Sequence, residues 1–174
     1  MLGLCYIGED PTTVAMNNEK KLKINELFGQ LKQVTDQEQI KEIESTILSL
    51  WLHSDNTSIE GLMAEGMEQM KESQYTEALD TFGRVIKMDP LYVEGWNKRA
   101  IVYYLRGEFK RAMNDIQRAL IIEPRHFAAM SGMANIYREV LAYKRALGVL
   151  ERMTQISPHR QTLDEQIRAL KEKI

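Results

Sequence analysis

Residues 96–103, Trp-Asn-Lys-Arg-Ala-Ile-Val-Tyr, followed by Ala112-Met113-Asn114-Asp115-Ile116 and then Glu123-Pro124, are the stretch on which the reading of this 174-residue chain turns. Two near-copies flank it. Shifted by 34 residues in either direction without a gap, the chain aligns Pro90, Pro124 and Pro158, then Ala78, Ala112 and Ala146, then Tyr75, Phe109 and Tyr143. The same register pairs Gly66 with Ala100 and Ala134, Leu62 with Trp96 and Met130, and Phe82 with Ile116 and Leu150. A fixed period of this length marks an array of small supersecondary units.

The pattern resembles the tetratricopeptide repeat, whose signature is a large apolar residue, a small residue, Tyr, Ala, Phe and Pro. The resemblance covers three repeats, 59–92, 93–126 and 127–160. It implies an all-α helix-turn-helix solenoid, a right-handed superhelix of antiparallel helix pairs. Small side chains in the Gly66 and Ala78 columns let the two helices of a repeat cross closely, where larger groups would push them apart. The Leu62 and Phe82 columns fill the wider parts of that interface, and the Tyr75 column opens the second helix and packs back on the first. Pro90, Pro124 and Pro158 end the second helix, because proline has no N–H to donate and restricts the residue before it.

Two departures from the family stand out. Glu65 and Arg99 occupy the place before the small residue where Leu is usual, and only Met133 conforms. As equivalent positions of adjacent repeats, Glu65 and Arg99 are expected to face each other across a junction. The turn between helices has Gly107 in the middle repeat but Ser73 and Leu141 in its neighbours, which loosens the turn expected in the third.

Outside the repeats, residues 1–21 carry Gly, Pro, Thr and Asn without helical periodicity and read as a flexible tail. Ile24, Leu27, Phe28, Leu31 and Val34 then form the stripe of an amphipathic helix. Asp36 is placed to cap a second helix with Ile40, Ile43, Ile47, Leu50 and Trp51 along one face. Residues 22–58 are thus a degenerate helical hairpin and linker, expected to cover the exposed face of the first repeat. Thr57 with Glu60 reads as a capping box for the first repeat helix. Residues 161–174 carry Leu163, Ile167, Leu170 and Ile174 on one face and read as the solvating C-terminal capping helix.

A net charge of −2 conceals an asymmetry. Residues 1–58 and the first repeat each carry −4, whereas the second and third repeats each carry +3. Such a dipole steers an acidic partner to the C-terminal repeats, or pairs molecules head to tail. One cysteine, Cys5, rules out an internal disulfide framework. The opening Met-Leu-Gly-Leu-Cys-Tyr-Ile-Gly is too short and lacks the basic flank of a signal peptide. Leu4 also stands where a lipoprotein box needs a small residue. No stretch has the apolar length to span a bilayer, so residence is expected to be cytoplasmic, or organellar or periplasmic if a leader is missing.

His53, His126 and His159 have no partner at metal-ligand spacing and read as surface or loop histidines. No phosphate loop, dinucleotide fingerprint, nucleophile elbow or zinc-protease motif occurs. Catalysis, metal and cofactors are therefore not expected. Function must come from a surface. At about 100° per residue, Glu94, Asn97, Ile101 and Tyr104 project away from the packed side of the second repeat's first helix, toward the concave groove. Their counterparts are Glu60, Met63, Met67 and Met70 before them, and Ala128, Ser131, Asn135 and Arg138 after. The methionines suit an apolar helix or extended segment, while Asn97, Lys98, Asn135 and Arg138 suit backbone or carboxylate groups.

Relatives that bind chaperone C-termini use a carboxylate clamp of Lys, Asn and Arg, and the corresponding positions here hold Met63, Met67, Lys98, Ala128 and Gly132. A chaperone tail is accordingly an unexpected ligand. The leading expectation is a non-catalytic protein-binding scaffold that takes a partner's peptide or helix in its groove. The alternative is a homo-oligomer joined through its acidic and basic halves. Nucleic acid is disfavoured by the negative net charge and the scatter of Lys98, Arg106, Lys110, Arg111 and Arg118 over several faces.

Overall fold

The computed structural model describes residues 11–174. Among them run α1 (Pro11–Leu31), α2 (Gln37–Leu52), α3 (Thr57–Lys71), α4 (Tyr75–Met88), α5 (Val93–Leu105), α6 (Phe109–Ile122), α7 (Phe127–Glu139), α8 (Tyr143–Thr154) and α9 (Gln161–Lys171), with no strands. The pairs α3–α4, α5–α6 and α7–α8 are the three repeats, and the chain is an all-helical solenoid.

Local chemistry sets the helix ends. Asp36 caps α2 by accepting the Gln39 N–H at 2.9 Å. At α3 the cap is Asn56, which accepts from Ser58 N and Ile59 N. The capping box assigned to Thr57 does not form, because Thr57 is already helical and Glu60 turns back to His53 Nδ1 at 2.7 Å. All three turns within repeats close alike. Gln74, Glu108 and Ala142 donate their N–H to carbonyls five residues back, and Ser73, Gly107 and Leu141 sit at φ 61°, 73° and 56°. This left-handed closure satisfies the last carbonyls of the first helix. Ser73 and Leu141 adopt it although only glycine does so without steric cost, so repeat geometry overrides residue preference.

Each repeat's core obeys a volume trade. A Cβ added at Gly66 would lie 2.6 Å from the Phe82 ring, itself 0 % exposed. Where the small residue is Ala100 or Ala134, its column partner is the smaller Ile116 or Leu150. The Glu65–Arg99 pairing does not occur. Arg99 instead reaches its own repeat's second helix, binding Asp115 through two bonds of 2.7 and 2.9 Å, while Glu65 accepts from Gln69. In the third repeat the equivalent pair is apolar, Met133 and Val149.

The N-terminal third departs most from expectation. Residues 11–21, read as tail, belong to α1, while residues 1–10 lie outside the described residues. Pro11 suits the first helical position, and no helix breaker follows it before Gly29. Lys20 Nζ ties the helix to the carbonyl of His53 at 2.7 Å. The hairpin α1–α2 does not cover the outer face of the first repeat. It lies along the inner side of the array, where Ile24, Leu27, Phe28, Leu31, Ile40, Ile47 and Trp51 share one core with α5, α7 and α8. The first repeat's outer face needs no cover, since it presents Gly61, Ala64, Glu65 and Glu68 to water.

Gly66→Ala should lower stability by about 1–3 kcal/mol through overpacking against Phe82. Adding Phe82→Leu, which copies the pairing of Ala134 with Leu150, should restore most of the loss in urea unfolding. Arg99→Met alone should cost about 3–5 kcal/mol by stranding the buried Asp115 carboxylate. The double variant Arg99→Met with Asp115→Val, borrowing the third repeat's pair, should unfold at or above the wild-type midpoint.

Candidate partner-binding cleft

Tyr92, His126 and Arg160 are separated by the repeat period and are the N-cap residues of α5, α7 and α9. Each grips α2. Tyr92 Oη donates to the carbonyl of Leu52 at the helix's last turn. His126 stacks on Trp51, ring centroids 4.3 Å apart. Arg160 Nη1 donates to Glu44 at 3.2 Å. Beyond Arg160, Gln37 at the start of α2 donates to His159 O at 2.8 Å and accepts from Gln161 N at 3.1 Å, which caps α9. Alongside, Arg125 lies over the Phe28 ring at 4.2 Å and donates to Asn25. The hairpin is therefore held at every repeat junction.

The middle rung is polar and dry. His126 is 0 % exposed and Glu94 2 %. His126 Nδ1 accepts from Ala129 N at 3.1 Å, which puts the ring proton on Nε2, 2.9 Å from Glu94 Oε1. Glu94 also accepts from Asn97 at 2.9 Å and lies 3.7 Å from Lys98 Nζ. Burial alone would raise the Glu94 carboxyl, but the hydrogen bonds from His126 and Asn97 and the nearby Lys98 hold it below its ordinary 4.5. The reading of His126 as a surface or loop histidine is thus overturned. It sits on the column of Tyr92 and Arg160, one residue before each first helix, and that column was the available signal.

Beside α2 the inner face stays open as a cleft of ≈ 530 Å³. Glu44 and Leu48 of α2 form one wall, Asn97, Ile101, Tyr104 and Leu105 of α5 the floor, and α7 the far wall with Ala128, Ser131, Gly132 and Asn135. Arg160 closes one end. Of the residues assigned to the groove, the structure brings Asn97, Ile101, Tyr104, Ser131 and Asn135 together here. Arg138 stands exposed outside the lining. Glu94 and Lys98 are instead engaged with the His126 rung. Met63 is 2 % exposed and belongs, with the half-buried Met67 and Met70, to the first repeat's own core. Leu52, at the end of α2, packs on that core, so the apolar methionine groove expected over the first repeat is closed by the chain itself. Leu48, Leu105 and Arg160 escaped sequence reasoning because the hairpin's position was not legible.

Among the described residues no helix is long and apolar enough to cross a membrane, and no cluster of three or more His, Cys, Asp or Glu is arranged to hold a metal.

The depressed Glu94 carboxyl fixes a pH response. Its folded pKa lies below the unfolded one, so its contribution is complete above about pH 4.5 and is lost as pH falls through the lowered value. Glu94→Gln should flatten this part of the acid limb in a plot of melting temperature against pH. An unchanged slope below pH 4.5 would count against the His126–Glu94 rung.

Residues 93–126 match the family model described as tetratricopeptide repeat. A TPR repeat-containing protein of Rhizobium etli is 34% identical over 95 residues, covering 55% of this chain and 47% of that protein, so the chain spans about half the length of this curated relative. Among solved structures, the Sgt2 TPR domain from Aspergillus fumigatus superposes with TM-score 0.61 at 20% identity, covering 68% of this chain and 80% of that one. The first TPR domain of Spaghetti (RPAP3), bound to an HSP90 peptide, gives 0.62 at 21% identity, with coverage of 69% and 95%. The TPR2B domain of yeast Sti1, in a complex with pHsp70, gives 0.62 at 20% identity, with coverage of 68% and 100%. Together with three gapless repeats and their helix pairs, these likenesses show the fold of tetratricopeptide repeat domains, with the repeat's own family model matched at residues 93–126.

Proposed function

We propose that the chain is a non-catalytic protein-interaction module that receives a segment of a partner protein in the cleft between α2, α5 and α7. The observation that carries this reading is the cleft's make-up. Ile101, Tyr104, Leu105 and Leu48 offer apolar contact, and Asn97, Ser131 and Asn135 supply hydrogen-bonding groups among them, the pattern of a recognition site. Of the proteins of similar fold, one is bound to an HSP90 peptide and another is in a complex with pHsp70. Here the clamp positions hold Met63, Met67, Lys98, Ala128 and Gly132, and Met63 is buried. A chaperone C-terminal tail is therefore not the ligand that we propose.

A phage-displayed library of random linear dodecapeptides, panned on the purified chain, tests the reading. Enriched peptides should bind the wild type, and the double change Ile101→Glu with Tyr104→Ala should weaken them by about tenfold or more, equivalent to about 1.4 kcal/mol, at unchanged helical circular dichroism. Equal binding by the double variant would remove the cleft from consideration.

A further inference from the structure

We propose that the chain associates head to tail with copies of itself, the Leu91 turn of one molecule seated in the Leu141 notch of the next. Neither surface contributes to the lining of the cleft, so this association is a second interaction beyond the proposed one.

The repeats supply an internal control for the turn. At the place of residue 91, the second junction has Arg125, laid over the Phe28 ring, and the third has His159, whose carbonyl binds Gln37. The first junction has Leu91, an apolar side chain left 76 % exposed, with Met88 exposed three residues before it. The turn that carries them is preformed. Asp89 accepts the Leu91 N–H at 2.9 Å, and the Trp96 indole donates to the Pro90 carbonyl at 2.9 Å. Asp55 and Asp89 both act on the Lys20 ammonium, and Glu60 and Asp89 on the Tyr92 hydroxyl, so three carboxylates gather around this apolar knob.

The notch departs from its own column in the same way. Gly107 takes the left-handed turn conformation without steric cost, whereas Leu141 takes it at φ 56° with its side chain 70 % exposed. That leucine strains the backbone and buries little in return. Val140 and Ile174 are exposed as well. Leu141, Tyr143 and Ile174 form an open notch rimmed by Lys144, Arg145 and Lys173, with no acidic side chain in its lining. An exposed apolar residue held in a strained conformation points to a contact made outside the fold.

Knob and notch complement each other twice over. Carboxylates around one and cations around the other steer the encounter, and burial of Leu91 against Leu141 and Ile174 holds it. The two cannot meet within one molecule. Helix pairs are antiparallel, so turns between repeats lie along one edge of the array and turns within repeats along the other. A first helix separates those edges, about 20 Å for the 13 residues of α5. A contact between unlike surfaces of identical chains repeats from molecule to molecule. The partner is therefore a second copy, and growth is open-ended.

Multi-angle light scattering behind a sizing column tests this on the full chain. Mass should climb with protein concentration beyond twice the 20.2 kDa of one chain. Association should weaken about tenfold between about 0.1 M and about 1 M salt, as the Debye length shrinks from about 10 Å to about 3 Å. Leu91→Arg copies the second junction and Leu141→Gly copies the second repeat's turn, and each variant should be monomeric at unchanged helicity. Mixed in equal amounts, the two should form a one-to-one pair and stop there, because only one intact knob and one intact notch remain. A wild type that stays monomeric at every concentration, or a mixture that forms no pair, would overturn the proposal. Oligomers that survive both substitutions, or that ignore salt, would overturn it as well.

Discussion

The structure depends on one constraint: α2 must lie along the inner side of the array, where the N-cap residue of each successive first helix can hold it. Tyr92, His126 and Arg160 occupy equivalent places, yet each uses different chemistry: a phenol donating to a helix carbonyl, an imidazole stacked on an indole, and a guanidinium on a carboxylate. Repetition supplies the spacing, and divergence supplies the fit to one particular helix. Helix ends are natural places for this, because their backbone groups already require partners.

This contact changes the kind of solid the array is. In an open solenoid each repeat touches only its neighbours, and stability is a sum of local terms. Here Gln37 bonds to His159, 122 positions away, and Trp51 shares a core with Phe127. A 16-residue helix, about 24 Å long, thus links the first repeat to the end of the third. Curvature of the array and width of the cleft are set together by one strut.

Polar groups buried by this arrangement are nearly all partnered, as an interior of low dielectric requires. Glu94 is surrounded by Asn97, Lys98 and His126, and Asp115 by Arg99. The Arg99–Asp115 pair fills a place that the third repeat fills with Met133 and Val149, so the fold tolerates either solution at one site. Glu44 is the less comfortable case. Burial raises its carboxyl, and the single bond to Arg160 offsets this only in part.

The sequence by itself determined the repeats, their helix pairs and the close crossing at Gly66, Ala100 and Ala134, because a fixed period and residue volume are properties of the chain alone. It also located Asn97, Ile101, Tyr104, Ser131 and Asn135 on one side of their helices, since helical geometry follows from residue number. Only the tertiary structure decided where the hairpin goes. Its stripe of Ile40, Ile47 and Trp51 demands an apolar surface, and periodicity does not say which surface. The outer face of the first repeat is polar, while the inner face offers Phe127, Ala100 and the ring of His126. Burial of apolar area chose between them, sealing Met63 and His126 inside and leaving the cleft beside α2 open.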